Sequence, residues 1–303
     1  MKTILLTGAT GFVGSNLLKI DNSFHCVVRK SEPHTEQSIF TITALDGNTD
    51  WGGAFNGIKS IIHLAGLAHS HSYTEENYRT VNVDGTLRLA SEAAIAGVKR
   101  FVFVSSIGVN GTATYETPFT EVSKASPHNA YAQSKYDAEI GLQKIAEKTG
   151  LEVVIVRPTL VYGINAPGNF GLLTRLVNRV PFLPFGSAKN KRDFISVNNL
   201  ADLLITCAKH PDASGHTFLA SENETVSIKE FTNAIAEGLD SGLIQLPFPM
   251  IFIRLVGKLT GKLAMVEQLV GNLEVDSSNL KEVLGWTPPY TMEESMAFLK
   301  EQK

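Results

Sequence analysis

The stretch that most restricts this chain is Thr7-Gly-Ala-Thr-Gly-Phe-Val-Gly14, which follows the apolar run Ile4-Leu5-Leu6 and opens a helical pattern over residues 11–20. Gly8 permits a tight turn, Gly11 lets the backbone approach a pyrophosphate, and Gly14 lets helix and strand pack closely. A bound anion would then meet the helix N-terminus. The G-x-x-G-x-x-G spacing is one residue different from the familiar dinucleotide fingerprint. Its position, closing a first strand and opening a first helix, is what makes it specific. An acidic side chain about 20 residues further on would hold the adenosine ribose hydroxyls. That place is taken by Arg29, followed by Lys30. Two cations suit a 2′-phosphate, so the sequence leans to NADP(H) over NAD(H), unless Arg29 merely ends a strand in solvent.

Short β-branched runs alternate with helical patterns through the first half. Strands are expected at 2–7, 24–29, 39–43, 60–64, 101–105 and 152–157, with helices at 11–20, 81–96 and 129–149. The runs ILL, SIIHL, FVFV and VVIV are almost wholly apolar, as in strands buried on both faces of a parallel sheet. The order predicts an α/β fold with a Rossmann-type, doubly wound parallel sheet. After Pro158, prolines and glycines break the chain into shorter elements. A dinucleotide-binding domain is therefore expected over 1–165, with a returning segment near 190–220, and a smaller, mostly helical substrate lobe over 166–303.

Composition is that of an ordinary globular protein, 43% hydrophobic and 19% charged. With a net charge of −3 and no polybasic block, nothing favours a nucleic-acid partner. Cys26 and Cys207 lie in apolar runs without metal-ligand spacing and read as core residues in a reducing compartment. The apolar run at the N-terminus is far shorter than a signal-peptide core. The stretch 243–259, LIQLPFPMIFIRLVGKL, is interrupted by two prolines and Arg254 and is expected to be a buried helix rather than a membrane span. The chain reads as cytoplasmic, with no membrane insertion.

Tyr131-Ala-Gln-Ser-Lys135 sets a phenol one helical turn before an ammonium. Residues four apart share a helix face, and a neighbouring cation lowers a phenol's pKa from about 10. The pair could serve proton transfer, or could be an ordinary surface Tyr/Lys pair.

Together the glycine turn, Ser105-Ser106 after a strand and YAQSK resemble the extended short-chain dehydrogenase/reductase family, NAD-dependent epimerase/dehydratase type. Within it the likeness is to the nucleotide-sugar 4-epimerase and 4-ketosugar reductase branch. HLAG (63–66), NVDGT (82–86), RPTLVYG (157–163), KRDFISVNNLAD (191–202) and LGWTPP (284–289) extend the resemblance over nearly the whole chain. Ser106 precedes Tyr131 by 25 residues, the interval of the family's catalytic pair.

The resemblance implies roles. Tyr131 would be the acid/base, with Lys135 lowering its pKa and holding the nicotinamide ribose, and Ser106 bonding the reacting sugar oxygen. Gly8, Gly11, Phe12 and Val13 would cover the pyrophosphate, with Gly14 also in the cofactor set. Leu45, Leu64, Ala65 and Gly66 would line the adenosine side, and Ser105 and Pro158 would complete the cofactor set. Asn82 is similar to the family's asparagine near the site, or is a capping or core amide. In the second lobe Asn169, Phe170 and Arg192 resemble diphosphate-binding residues, and Phe185 resembles the ring stacked on uracil. Phe185 could equally be core, and Arg192 could pair with Asp193. The implied substrate is a UDP-sugar of surface polysaccharide synthesis, and the implied assembly a homodimer through 81–96 and 129–149.

Three positions depart from the pattern. Ala68 stands where 4-epimerases carry a lysine, a second diphosphate arginine has no clear counterpart near 266–272, and Ala44-Leu45 fills the slot of an adenine-contacting Asp. Arg29 and the missing lysine at 68 tilt the reading from epimerase towards 4-ketosugar reductase. A reductase of another small carbonyl compound and a silent dinucleotide-binding relative are the alternatives. Ser106, Tyr131 and Lys135, all intact, speak against the silent one.

Overall fold

The computed structural model describes residues 2–21, 23–30, 38–68 and 72–302, with the side chains of 264, 265, 301 and 302 excepted. Among the described residues there are eleven strands: β1 Ile4–Thr7, β2 Phe24–Arg29, β3 Ile39–Ile42, β4 Ser60–His63, β5 Arg100–Val104, β6 Glu152–Pro158, β7 Leu160–Tyr162, β8 Phe182–Leu183, β9 Phe194–Ser196, β10 Thr217–Ala220 and β11 Ile244–Gln245. Seven of them form one parallel sheet in the order β10-β6-β5-β4-β1-β2-β3. This is the doubly wound Rossmann-type architecture expected from the buried apolar runs, and every expected strand lies within it.

The chain leaves β1 towards β2 and β3, then crosses back to lay β4 on the other side of β1. That reversal opens a crevice at the carboxyl ends of β1 and β4, where ligands of such sheets bind. Helix α1 (Phe12–Ile20) follows β1, and Gly14 is what lets it sit close: an added Cβ would stand 2.2 Å from the Gly8 carbonyl oxygen. His63 fixes the turn after β4. Its ring nitrogens bond the Thr7 and Thr86 hydroxyls at 2.7 and 2.9 Å, and burial pushes its pKa down to about 3, so the imidazole is neutral.

The expected helix over 81–96 is two elements. Helix α2 (Glu75–Tyr78) leads into a π-helix, Arg79–Gly85, which becomes α3 (Thr86–Ile95). Helix α4 (Ala130–Thr149) starts under the Asn129 side chain, which accepts from Ala132 N–H at 2.8 Å, and stops at Gly150 in the left-handed region. Asn129 and Gly150 supply the start and stop that helix ends favour. A buried bidentate pair between Arg157 on β6 and Glu139 ties α4 to the sheet.

The second half adds α5 (Gly168–Arg179), α6 (Val197–Lys209), α7 (Ile228–Gly238), α8 (Met250–Leu259), α9 (Leu263–Val270), α10 (Ser278–Leu284) and α11 (Met292–Ala297). Helix α6 and strand β10 pack with the sheet: Leu200, Leu203, Leu204 and Phe218 share a core with Leu6, Leu17 and Val154. Leu280, Leu284 and Trp286 join the same core, so the chain's last part crosses back as well. A separate aromatic core around Tyr162, Phe170, Phe194 and Phe231 fills the second lobe. Here one expectation fails. Of helix α8, expected to be buried, only Gly257 is buried, and most of its apolar side chains face solvent. No helix among the described residues is long and apolar enough to cross a membrane.

Candidate active site

A cavity of about 630 Å³ opens at the β1/β4 crevice. Gly8, Gly11, Arg29, Leu45, Leu64, Ala65 and Gly66 all line it. The backbone fits an extended anion. Gly8 has φ +73°, and a Cβ there would stand 2.8 Å from Ala65 N. Gly11 caps α1 without a side-chain partner and with no acid in the first turn, which leaves the helix's N–H end to a ligand. Phe12 packs towards the second-lobe core and Val13 towards the sheet core, so they could offer backbone rather than side chains. Trp51 also lines the cavity and was not anticipated. Asp46 stands at the wall, but its carboxylate accepts from Asn48 N–H at 2.8 Å and holds its own turn.

Gly66, on the cavity wall, lies next to the Lys135 ammonium of α4. A Cβ on Gly66 would stand 2.9 Å from Asn82 Oδ1 and 3.6 Å from Lys135 Nζ. Asn82, in the π-helix, is a clamp. Its Oδ1 accepts from Leu67 N–H at 2.7 Å, and its Nδ2 donates to Leu67 O at 3.1 Å and Ser134 Oγ at 3.0 Å. The core-amide alternative therefore describes it better than ligand contact. Ser134 donates in turn to Tyr131 O at 2.8 Å, so one network sets both the cavity wall and the start of α4.

Ser106 and Tyr131 are brought together. The Ser106 hydroxyl hydrogen-bonds the phenol, and it also accepts from Gly108 N–H at 3.1 Å. Tyr78, which sequence reasoning missed, sets its ring edge-on to Tyr131 at 6.1 Å. The expected depression of the phenol's pKa is absent. Burial pushes Tyr131 up to about 12, against a lowering by Ser106. Lys135 is not among the groups that shift the phenol; its ammonium donates to Val104 O at 3.0 Å and lies 4.8 Å from the Phe103 ring centre. Burial pushes Lys135 down to about 8, with Glu139 acting in the opposite direction. Ser105, at the end of β5, keeps a buried hydroxyl with no partner among the described residues. Pro158 ends β6, buried, in register with Ala220.

In the second lobe Asn169, Phe170 and Arg192 line one small space of about 20 Å³, together with Gln268. Arg192 is buried, donates to Gly271 O at 3.1 Å, and is pushed down to about 10 by burial. Asp193 attracts its charge without a direct ion-pair contact, the carboxylate accepting instead from Thr225 Oγ1 and Val275 N–H, each at 2.6 Å. Asn169 is exposed and donates to Gln268 Oε1 at 3.3 Å. Phe185 is not on this wall. It is 7% exposed within the second-lobe core, because Leu183 and Ala188 on either side turn that segment inward.

The model of the NAD dependent epimerase/dehydratase family matches residues 4–221. The chain belongs to that family. It is also 42% identical over 304 residues to a UDP-glucose 4-epimerase of Vibrio cholerae, covering 97% of this chain and 93% of that one. Among solved structures, the UDP-N-acetylglucosamine 4-epimerase of Bacillus cereus superposes with a TM-score of 0.80 at 18% identity, covering 100% and 99% of the two chains. The UDP-glucose 4-epimerase of Thermotoga maritima, solved with UDP-glucose, gives 0.76 at 21% identity, covering 99% and 97%. Those two likenesses show the fold. The Vibrio relative carries the epimerase/dehydratase likeness through both lobes.

Proposed function

We propose that this epimerase/dehydratase family member is a UDP-hexose 4-epimerase. The carrying observation is the Ser106–Tyr131 hydrogen bond on the helix that also sets Lys135 beside Gly66 of the β1/β4 cavity. The 42% identity to a 4-epimerase across both lobes moves the balance from ketoreductase to epimerase.

Gly8, Gly11 and Ala65 would hold a dinucleotide, with Lys135 at its ribose, and such a group would supply hydride exchange with sugar C4. Tyr131 takes the proton from the C4 oxygen and returns it after the sugar has presented its other face. Ser106 orients that oxygen and donates to the phenol, the one described contact that lowers its pKa. Lys135, fixed by Val104 O, keeps a cation beside Gly66. Arg192 would meet the diphosphate, a role that suits its planar fork. Arg29 and Lys30 favour NADP(H) at the ribose.

The test gives the purified protein UDP-glucose and UDP-N-acetylglucosamine, each with NAD⁺ or NADP⁺, and follows the C4 epimer by NMR. Interconversion without net change in nicotinamide absorbance is expected, and Tyr131→Phe should slow it by about 10²–10⁴-fold with cofactor binding retained. Stoichiometric consumption of NADPH with a 4-keto sugar would move the assignment to reductase. Normal turnover by the Phe variant would remove Tyr131 from the chemistry.

A further inference from the structure

Helix α8 has the composition of a core helix and the exposure of a surface one. Ile251, Phe252, Leu255, Val256 and Leu259 are between 50% and 78% exposed. They stand at i, i+1, i+4, i+5 and i+8, which makes one apolar stripe along the helix. The opposite side is what packs: Gly257 lies so close to α9 that an added Cβ would stand 2.7 Å from Val266 Cγ2. Phe248, its ring 5.6 Å from that of Phe252, extends the stripe beyond the helix's start.

Charge says what covers this stripe. Residues 241–266 contain Arg254, Lys258 and Lys262 and no Asp or Glu, within a chain of net charge −3. Arg254 is paired with Glu267 at 2.9 Å, whereas Lys258 and Lys262 are exposed and have no ion pair among the described residues. A second copy on a two-fold axis would bring the same lysines to the face with no carboxylate from this stretch to answer them. Anionic lipid headgroups would answer them. Ten residues rise only about 15 Å, half of a hydrocarbon core, so the helix can lie in an interface but not span it.

We propose that the α8 face docks on an anionic membrane surface, with the apolar stripe seated at the headgroup boundary and Lys258 and Lys262 against lipid phosphates. The docking is independent of which sugar the catalytic site takes.

Flotation of the full chain with vesicles tests it. The chain should float with phosphatidylethanolamine vesicles containing phosphatidylglycerol and not with phosphatidylcholine alone, and high salt should weaken the association. Each cation near such a surface contributes about fivefold in partitioning. Lys258→Gln combined with Lys262→Gln should therefore weaken binding about 25-fold. Phe252→Glu combined with Leu255→Glu should lose at least about tenfold by removing buried apolar area. All four side chains are exposed, and unchanged melting curves would confirm that the variants fold. An unmodified chain that ignores phosphatidylglycerol vesicles overturns the proposal, as do folded variants that float equally well. A dimer that Phe252→Glu with Leu255→Glu splits, in a chain that binds no vesicles, assigns the face to a second copy instead.

Discussion

The two ends of the proposed site are prepared to different degrees. The cofactor end is already open: about 630 Å³ lined by glycine backbone, with an uncapped helix start facing it. The substrate end is closed, since Arg192, Asn169 and Phe170 surround only about 20 Å³ and the guanidinium already donates to Gly271 O. Close-packed backbone cannot rearrange cheaply, whereas a side chain at the edge of a small lobe can exchange one carbonyl for a ligand. The contrast suggests that the sheet half holds its ligand by shape and the second lobe by rearrangement.

The largest expected effect probes the rigid end. Gly14→Val should destabilise the protein by about 3 kcal/mol or more, because its Cβ would overlap the Gly8 carbonyl and the Ala9 backbone. Gly47→Ala, whose Cβ would meet only Asp84 Cβ at 3.5 Å, should melt normally. Equal melting of the two variants would show that the glycine turn is not rigid. At the adaptable end, Arg192→Ala should weaken UDP binding by about 30- to 100-fold, or 2–3 kcal/mol, and leave NADPH binding unchanged in calorimetric titration. Unaltered UDP affinity would place the diphosphate elsewhere.

A smaller change is expected at the cavity rim. Arg29→Asp with Lys30→Ala should shift the NADP(H)/NAD(H) preference about tenfold towards NAD(H). If the unmodified protein binds NAD(H) at least as tightly, the lean to NADP(H) falls.

The smallest effect is on stability against pH. Lys135 is held near 8 in the folded chain against its ordinary 10.5, so the unfolded chain binds more protons between those values and stability should rise there. Tyr131 is held near 12 against 10, so the folded chain binds more protons and stability should fall from pH 10 to 12. The two groups oppose each other only between 10 and 10.5. Burial also raises Cys207 from 9 to about 12, which opposes Lys135 from pH 9 upward. A melting series should rise from pH 8 to 9, level off towards 10 and then turn down, and Lys135→Met should remove the rise.

The sheet was legible because strands buried on both faces read as unbroken apolar runs, as at Ile61-Ile62 and Val153-Val154-Ile155-Val156. The glycine turn was legible because its backbone demands are local. Partnership was harder to read. Phe185 looks the same in sequence whether it stacks on a base or fills a core. The α8 stripe has the periodicity of a buried helix, and nothing in its order says that the stripe faces outward. Lys135 shares a helix face with Tyr131, yet Val104 O holds its ammonium while burial of the phenol dominates. The clamp by Asn82 depends on a π-helical register that i, i+4 patterns do not report.

That register amounts to a phase setting. Each residue turns an α-helix by about 100°. Deleting one residue from Arg79–Gly85 would let the segment continue in α-helical phase into Thr86–Ile95. Thr86, Leu89 and Ala90 could stay packed, while everything upstream rotated about the helix axis and drew the Asn82 amide off Leu67. Changes of chain length are usually absorbed by surface loops. Here a single residue gained or lost inside a regular element would re-aim one wall of the cavity and leave the sheet beneath it undisturbed.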